Sequence, residues 1–161
     1  MNGLERKGLT PFVFLAIPGI ISRKLSLKIM LNKKIFIIED DANILYALQA
    51  KFSIEGFQVE IDNGTGEREE VLNKIRIFRP DFIVMDLVLP RMDGKELLHA
   101  IKADEYVSGA YVFVFSDFSD EDDRARRERT GADYFLVKEK FLVDEFVAKV
   151  KKIIENKAKI N

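Results

Sequence analysis

The residues best suited to chemistry lie in the run from Asp81 to Gly94. An apolar stretch, Phe82 to Met85, ends directly in the carboxylate of Asp86, and a short loop with Pro90 leads to a helix start at Asp93-Gly94. A carboxylate at the end of a buried strand is costly unless a cation or hydrogen-bond donors compensate it. The run therefore predicts that Asp86 has such partners.

Candidate partners follow other apolar runs of the chain. Glu39 and Asp40 come after one run, Ser116 after another and Lys138 after a third. In open α/β sheets, ligands bind beyond the carboxyl ends of the strands, so these groups are expected at one edge. Acid, hydroxyl and ammonium groups around a carboxylate are typical of a phosphoryl-transfer site organised around a divalent metal. Taken together, these residues are a specific signal for such a site, whereas any one of them alone is a weak signal.

Taken singly, each of these residues has a simpler structural explanation that stays open. Glu39 and Asp40 would also serve as helix caps, although Asp41 is the better candidate for that position. Lys138 would equally be a surface lysine at a strand end. His99 falls within a predicted helix and is interpreted as partly exposed and without function.

Short apolar runs alternate regularly with amphipathic segments from Lys34 onward. Strands are predicted at Ile35–Ile38, Phe57–Ile61, Phe82–Met85, Tyr111–Phe115 and Phe135–Val137. Helices are predicted at Asn43–Phe52, Glu67–Phe78, Gly94–Ala103, 120–130 and Val143–Ile154. Five successive βα units indicate an α/β fold, a doubly wound five-stranded parallel sheet with helices on both faces.

Composition narrows the classes of site and of partner. The chain of 161 residues fits one domain, and the absence of cysteine excludes disulfides and thiolate metal sites. A lone histidine excludes a multi-histidine metal cluster. Residues 1–34 hold seven Lys and Arg residues and one Glu, so the remainder of the chain is net acidic. A net-acidic body argues against general nucleic-acid binding by the folded domain.

The basic N-terminal extension, residues 1–32, has an apolar run from Pro11 to Ile21 that Pro18-Gly19 interrupts. It is too short for a bilayer, which needs about 20 apolar residues. Three interpretations stay open. The extension is a translated tail upstream of a natural start at Met30, an arm for a membrane surface or a partner, or a cleaved export signal.

Residues 34–154 resemble the receiver domain of two-component response regulators, a flavodoxin-like (βα)5 fold with strand order 2-1-3-4-5. The matching motifs are Glu39-Asp40, the run Asp86-x-x-x-Pro90-x-x-Asp93-Gly94, Ser116, and Gly131-Ala132-Asp133 leading to Lys138. The resemblance implies a receiver domain over residues 33–157 and a short C-terminal tail over 158–161.

The resemblance implies that Asp86 is the phosphoacceptor and forms an aspartyl phosphate. Mg²⁺, with Mn²⁺ as an alternative, would be held by Asp40, Asp86 and the backbone carbonyl of Val88. Glu39 would bind the metal through a water molecule. Oxygen ligands and waters suit such a hard cation.

Three further roles follow from the same resemblance. Lys138 would pair with the acceptor carboxylate and then with a phosphate oxygen. Ser116 would hydrogen-bond another phosphate oxygen and move inward. Phe135 takes the place of the family's switch aromatic, with a core-filling side chain as the alternative. The signal would leave through the fourth predicted helix, the fifth strand and the fifth helix.

The chain departs from the family pattern at two positions. Glu139 follows Lys138 where the family usually has a proline joined by a cis peptide. A cis bond before a residue other than proline costs roughly 2.5–4 kcal/mol, so a trans bond or an altered loop is expected. Asp117 stands beside Ser116 where the family commonly has a small residue, which adds negative charge near the pocket.

The expected function is a stand-alone cytoplasmic receiver that catalyses only its own phosphorylation and dephosphorylation. Its expected partners are a histidine kinase or histidine phosphotransfer protein and an unidentified downstream protein. Nucleic acid, and a membrane for the folded domain, are not expected among them, and a homodimer is left open. The alternatives are a pseudo-receiver that binds partners independently of phosphate, and a phosphatase of the haloacid dehalogenase type.

Overall fold

The computed structural model describes residues 31–117 and 131–158. The basic extension up to residue 30, the helix predicted over 120–130 and the last three residues of the chain lie outside these ranges. Within the described ranges, no helix is both long enough and apolar enough to cross a membrane.

Five parallel strands form a single sheet in the order β2-β1-β3-β4-β5. The strands are β1 (Lys34–Ile38), β2 (Gln58–Asp62), β3 (Phe82–Met85), β4 (Tyr111–Ser116) and β5 (Tyr134–Val137). The helices of the described ranges are α1 (Ala42–Ile54), α2 (Arg68–Phe78), α3 (Gly94–Ala103) and α4 (Val143–Ala158). The predicted α/β class, doubly wound and flavodoxin-like, is confirmed, and so is the 2-1-3-4-5 order.

Apolar side chains cover both faces of the sheet, because successive strand residues point to opposite sides. The first core packs strand residues against α2 and α3: Phe36, Ile38, Ile83, Met85, Val112, Val114, Phe135 and Val137 with Val71, Leu72, Ile75, Leu97, Leu98 and Ile101. The second core packs them against α1 and α4: Ile35, Ile37, Phe82, Val84, Phe113, Phe115 and Leu136 with Leu45, Leu48, Phe52, Phe146, Val147, Val150 and Ile154. Burial on two faces explains why these strands are continuously apolar.

Two element ends differ from the sequence prediction. Strand β2 lies one residue later at each end, because the backbone N–H of Phe57 donates to the carbonyl of Phe52 at the end of α1 rather than to a neighbouring strand. The ring of Phe57 packs in the second core, with its centroid 5.5 Å from that of Phe52. The shift brings Asp62 to the end of β2, opposite Ile38. Helix α4 runs to Ala158 rather than ending at Ile154. Its last turn is polar and therefore gives no apolar periodicity.

Carboxylates begin the helices that follow β1, β2 and β3. Asp41 caps α1, as expected, by accepting hydrogen bonds from the backbone N–H groups of the second and third residues after it. Glu67 and Glu70 form a capping box at the start of α2. Asp93 caps α3 through the N–H of Lys95, at 2.7 Å. These caps hold the loops at the carboxyl edge of the sheet.

Candidate functional site

The carboxyl ends of four strands bring the candidate residues together. Glu39 and Asp40 follow β1, Asp86 follows β3, Ser116 ends β4 and Lys138 follows β5. The backbone N–H of Asp86 donates to the carbonyl of Ile38 at 3.0 Å, and this bond keeps the ends of β1 and β3 side by side.

The carboxylate of Asp86 is buried, with 4 % of the side chain exposed, and it meets three donors. Its Oδ1 accepts hydrogen bonds from Ser116 Oγ at 2.7 Å and from the backbone N–H of Val88 at 2.9 Å. Its Oδ2 pairs with the ammonium group of Lys138. The desolvation of this buried anion is thereby compensated by a cation and two neutral donors.

Lys138 bridges two buried carboxylates. Its Nζ also lies 2.8 Å from Oε2 of Glu39, and only 10 % of the lysine side chain is exposed. Burial alone would lower the pKa of Lys138, but the hydrogen bonds and charges of Asp86 and Glu39 outweigh it and raise that pKa. Lys138 therefore keeps its positive charge in the site.

Glu39 is the most deeply buried acid of the group, with 1 % of the residue exposed. Its Oε1 accepts a hydrogen bond from the backbone N–H of Asp41 at 3.2 Å. Burial raises the pKa of Glu39, and the ion pair with Lys138 opposes that rise only in part.

Glu39, Asp40 and Asp86 each offer a carboxylate oxygen, and these three oxygens lie within 4.8 Å of one another. Asp40 is the exposed member of the group. A cluster of carboxylate oxygens with an open side suits a hard cation that keeps several waters, as Mg²⁺ does. The donor set therefore fits the ion that the family resemblance implies.

The loop from Leu87 to Asp93 carries Val88, the residue whose carbonyl is the remaining predicted ligand. Val88 and Asp93 pair across the loop in an antiparallel bridge, and the N–H of Gly94 donates to Leu87 at 3.3 Å. A Cβ atom on Gly94 would lie 2.5 Å from the Cα of Leu87, so only glycine permits this approach. The Asp93-Gly94 motif thus fixes the shape of the loop.

The two predicted switch residues occupy different environments. Ser116 is fully buried and hydrogen-bonded to Asp86, so it belongs to the site itself. Phe135 is buried in the first core. The packing of Phe135 agrees with the core-filling alternative, and its part in switching stays a prediction.

The residues that depart from the family pattern leave the lysine in reach of the acceptor. Lys138–Lys140 forms a turn of 3₁₀ helix, and the described residues contain no cis peptide bond, as expected where Glu139 replaces proline. Asp117 is exposed at the end of β4. His99 of α3 is exposed rather than partly exposed, and its lack of function stays a prediction.

Asp62 is a buried acid at the same edge that the sequence analysis did not single out. Its side chain is 3 % exposed and pairs with Lys74 at 2.7 Å. The available signal was an acidic residue directly after an alternating strand and before Asn63-Gly64, but the strand was predicted one residue too early.

The family model for the response regulator receiver domain matches residues 35–151. The chain belongs to this family. The matched range holds all of the strand-end groups described above, from Glu39 to Lys138. Membership places this receiver domain among the phosphoacceptor signalling modules of two-component systems.

Similar proteins include regulators that are longer than this receiver domain. The transcriptional regulatory protein PrrA of Mycobacterium leprae is 32 % identical over 128 residues, which cover 78 % of this chain and 52 % of PrrA. The DNA-binding response regulator MtrA of Mycobacterium leprae is 29 % identical, over 75 % of this chain and 51 % of MtrA. The chain spans about half the length of these relatives. Their names give no support to the expectation that nucleic acid is absent among the partners.

A solved structure shares the fold over nearly its whole length. The response regulator receiver domain protein of Methanospirillum hungatei superimposes with a TM-score of 0.65 at 26 % identity, covering 81 % of this chain and 99 % of that one. The agreement extends the family assignment from sequence to three-dimensional structure.

Proposed function

We propose that this receiver domain accepts a phosphoryl group on Asp86 from a histidine kinase or a histidine phosphotransfer protein. A carboxylate oxygen of Asp86 would form the new O–P bond, while the P–N bond to the donor histidine breaks and its electrons return to the imidazole. The observation that carries the proposal is the buried Asp86 carboxylate, held between Ser116 and Lys138 at an acidic, metal-compatible edge.

Two side chains would compensate the charge that the phosphoryl group brings. Lys138 is already in contact with Asp86 Oδ2 and would move its ion pair to a phosphate oxygen. Ser116 Oγ, now donating to Asp86 Oδ1, would donate to another phosphate oxygen. Positioning and electrostatic stabilisation supply most of the catalysis in phosphoryl transfer, and these two side chains supply both at Asp86. Because the acceptor is a residue of the domain, the domain would promote its own phosphorylation and dephosphorylation only.

A Mg²⁺ ion would be held by Asp40, Asp86 and the carbonyl of Val88, and by Glu39 through a water molecule. When bound, Mg²⁺ or Mn²⁺ supplies positive charge that offsets repulsion between the carboxylate and the phosphoryl oxygens. The carboxylate oxygens of Glu39, Asp40 and Asp86 lie close enough together to share one ion. Before phosphorylation, Lys138 bridges Glu39 and Asp86 and keeps both carboxylates in place.

The signal would pass from Ser116 through Phe135 to the surface of β5, α4 and the helix predicted over 120–130, which lies outside the described residues. Ser116 hydrogen-bonds the acceptor and pairs with Val137 of β5. Phe135 lies two residues earlier on the same strand and packs in the first core, so a shift of Ser116 would reach Phe135 through β5. A downstream protein or a second copy of the chain would read that surface. The unit that does this is the receiver domain, residues 33–157, acting in the cytoplasm.

The test is phosphorylation of the full 161-residue chain by acetyl phosphate, with intact-mass spectrometry as the readout. We expect one phosphoryl adduct that requires Mg²⁺ and is absent from the Asp86→Asn variant. Asp93→Asn is the matched control, because this carboxylate caps α3 on the same loop and is placed in no chemical role. An adduct that persists in Asp86→Asn would overturn the assignment of the acceptor.

A pseudo-receiver that binds partners without phosphate is the second candidate, and Asp117 is the observation that favours it. Its exposed carboxylate adds negative charge next to Ser116. The other motivation, the missing proline, is weakened because Lys138 still contacts Asp86. Undiminished partner binding by Asp86→Asn would favour the pseudo-receiver. The phosphatase alternative is set aside, because the chain belongs to the receiver family.

A further inference from the structure

Asp62 is a buried carboxylate to which the proposed phosphoryl transfer gives no role. Its Oδ1 accepts a hydrogen bond from the backbone N–H of Gly64 at 2.8 Å, and its Oδ2 pairs with Lys74 of α2 at 2.7 Å. The aspartate side chain is 3 % exposed, whereas the lysine is 53 % exposed. The carboxylate therefore ties the turn after β2 to the helix that follows it.

The turn that Asp62 holds is packed against the loop that carries Val88. Gly64 has a positive φ of 65°, and a Cβ atom there would lie 2.7 Å from Cδ2 of Leu89. Leu89 also packs on the first core. The side chain of the residue next to Val88 is thus seated on the backbone of the turn.

Asp62 also touches the other side of the site through its main chain. The backbone N–H of Glu39 donates to the carbonyl of Asp62 at 3.1 Å. One residue thereby contacts the backbone of Glu39 directly and the loop around Val88 through Gly64 and Leu89. Glu39 and Val88 are two of the residues that the proposed metal site needs.

We propose that Asp62 is a positioning residue for the metal site: it holds the turn at Gly64 in the conformation on which Leu89 rests. The inference rests on the proposed function, since it assigns Asp62 to the same site. Groups that orient metal ligands commonly change affinity about 10- to 100-fold when they are removed. Asp62 acts through backbone and packing contacts, so an effect near the lower end, roughly tenfold, is expected.

The experiment compares Asp62→Ala with Asp104→Ala in the full chain. Asp104 is a closely matched control, because it also accepts bonds from backbone N–H groups, at 2.9 and 3.3 Å, and pairs with Arg76 of α2 at 2.7 Å. It lies just after α3, at the opposite edge of the sheet from Asp86. Both variants lose a similar structural contact, and only one of them adjoins the site.

Two readouts separate positioning from simple destabilisation. The first is the Mg²⁺ dissociation constant from a calorimetric titration, which should rise roughly tenfold in Asp62→Ala and stay unchanged in Asp104→Ala. The second is the set of amide NMR shifts in metal-free protein, where Val88 and Leu89 should move only in Asp62→Ala. Asp62→Asn keeps an oxygen acceptor for the N–H of Gly64 and should restore most of the affinity.

The outcomes distinguish this inference from the proposed function. Unchanged Mg²⁺ affinity and unchanged shifts of Val88 and Leu89 in a folded Asp62→Ala variant would overturn the positioning role, even if the wild type is phosphorylated normally. Equal losses of affinity in both variants would also overturn it. If the wild type bound no Mg²⁺ and formed no adduct, the proposed function would fail, and the positioning of a metal site would fail with it.

Discussion

At the scale of single residues, the site depends on how charge is balanced without water. Two buried carboxylates, Glu39 and Asp86, share one partly buried ammonium group, that of Lys138. A carboxylate buried there without a cation would lose its hydration energy and gain no ion pair to compensate for the loss. Lys138 therefore stabilises the folded protein even when no phosphoryl donor is present. Its removal should lower the free energy of unfolding of the unphosphorylated protein.

We expect Lys138→Met to lower the free energy of unfolding at pH 7 by about 3 kcal/mol, since two buried carboxylates lose their counter-charge. Urea denaturation followed by circular dichroism measures this loss. Lys151→Met is the control, because its lysine pairs with the more exposed Glu55, and it should cost no more than about 1 kcal/mol. Equal losses in the two variants would contradict the bridging role of Lys138.

At the scale of elements, the loop between β3 and α3 is shaped by close backbone contact rather than by side chains alone. Gly94 opens α3 at a point where the chain passes directly over Leu87. Asp93 caps the same helix and pairs with Val88 across the loop. Backbone contacts therefore join the strand end, the loop and the helix start next to Asp86.

Gly94→Ala should destabilise the protein by about 1–3 kcal/mol, because the new Cβ overlaps backbone atoms that cannot move aside as a flexible side chain would. Gly109→Ala is the matched control: its Cβ would meet no heavy atom within 4 Å. That control should be neutral or stabilising by roughly 0.4–1 kcal/mol. Thermal or urea denaturation of the pair gives the answer, and a neutral Gly94→Ala would show that the loop adapts.

At the scale of the whole molecule, two separate hydrophobic cores pack on the two faces of one sheet. The second core ties α1, α4 and the middle of the sheet together through aromatic contacts. Phe146 of α4 is fully buried, with its ring centroid 4.0 Å from that of Phe115 in β4 and 6.5 Å from that of Phe52 in α1. This core holds in place the strands β4 and β5, whose carboxyl ends carry Ser116 and Lys138.

Phe146→Ala should cost about 3–5 kcal/mol of stability, since it opens a cavity where three elements meet. Leu142→Ala is a control at the residue just before the same helix, because Leu142 is largely exposed and its loss should change stability by no more than about 0.5 kcal/mol. Calorimetric melting of both variants tests the expectation. Comparable melting temperatures would mean that the second core is not a principal source of stability.

The sequence by itself determined the fold class and the set of strand-end groups. Apolar runs and helical periodicity are local signals, and parallel strands necessarily bring Asp86, Ser116 and Lys138 to one edge. The cap at Asp41 was also readable, because capping depends on residues only two or three positions apart.

Only the tertiary structure decided which atoms meet. Lys138 and Glu39 are 99 positions apart, so no local pattern shows that one ammonium group bridges Glu39 and Asp86. The contact of Leu89 with Gly64 depends on two loops packing side by side. The positioning role proposed for Asp62, which bonds the N–H of Gly64, depends on the same contact. Such contacts arise from the way whole elements pack, and periodicity along the chain carries no record of them.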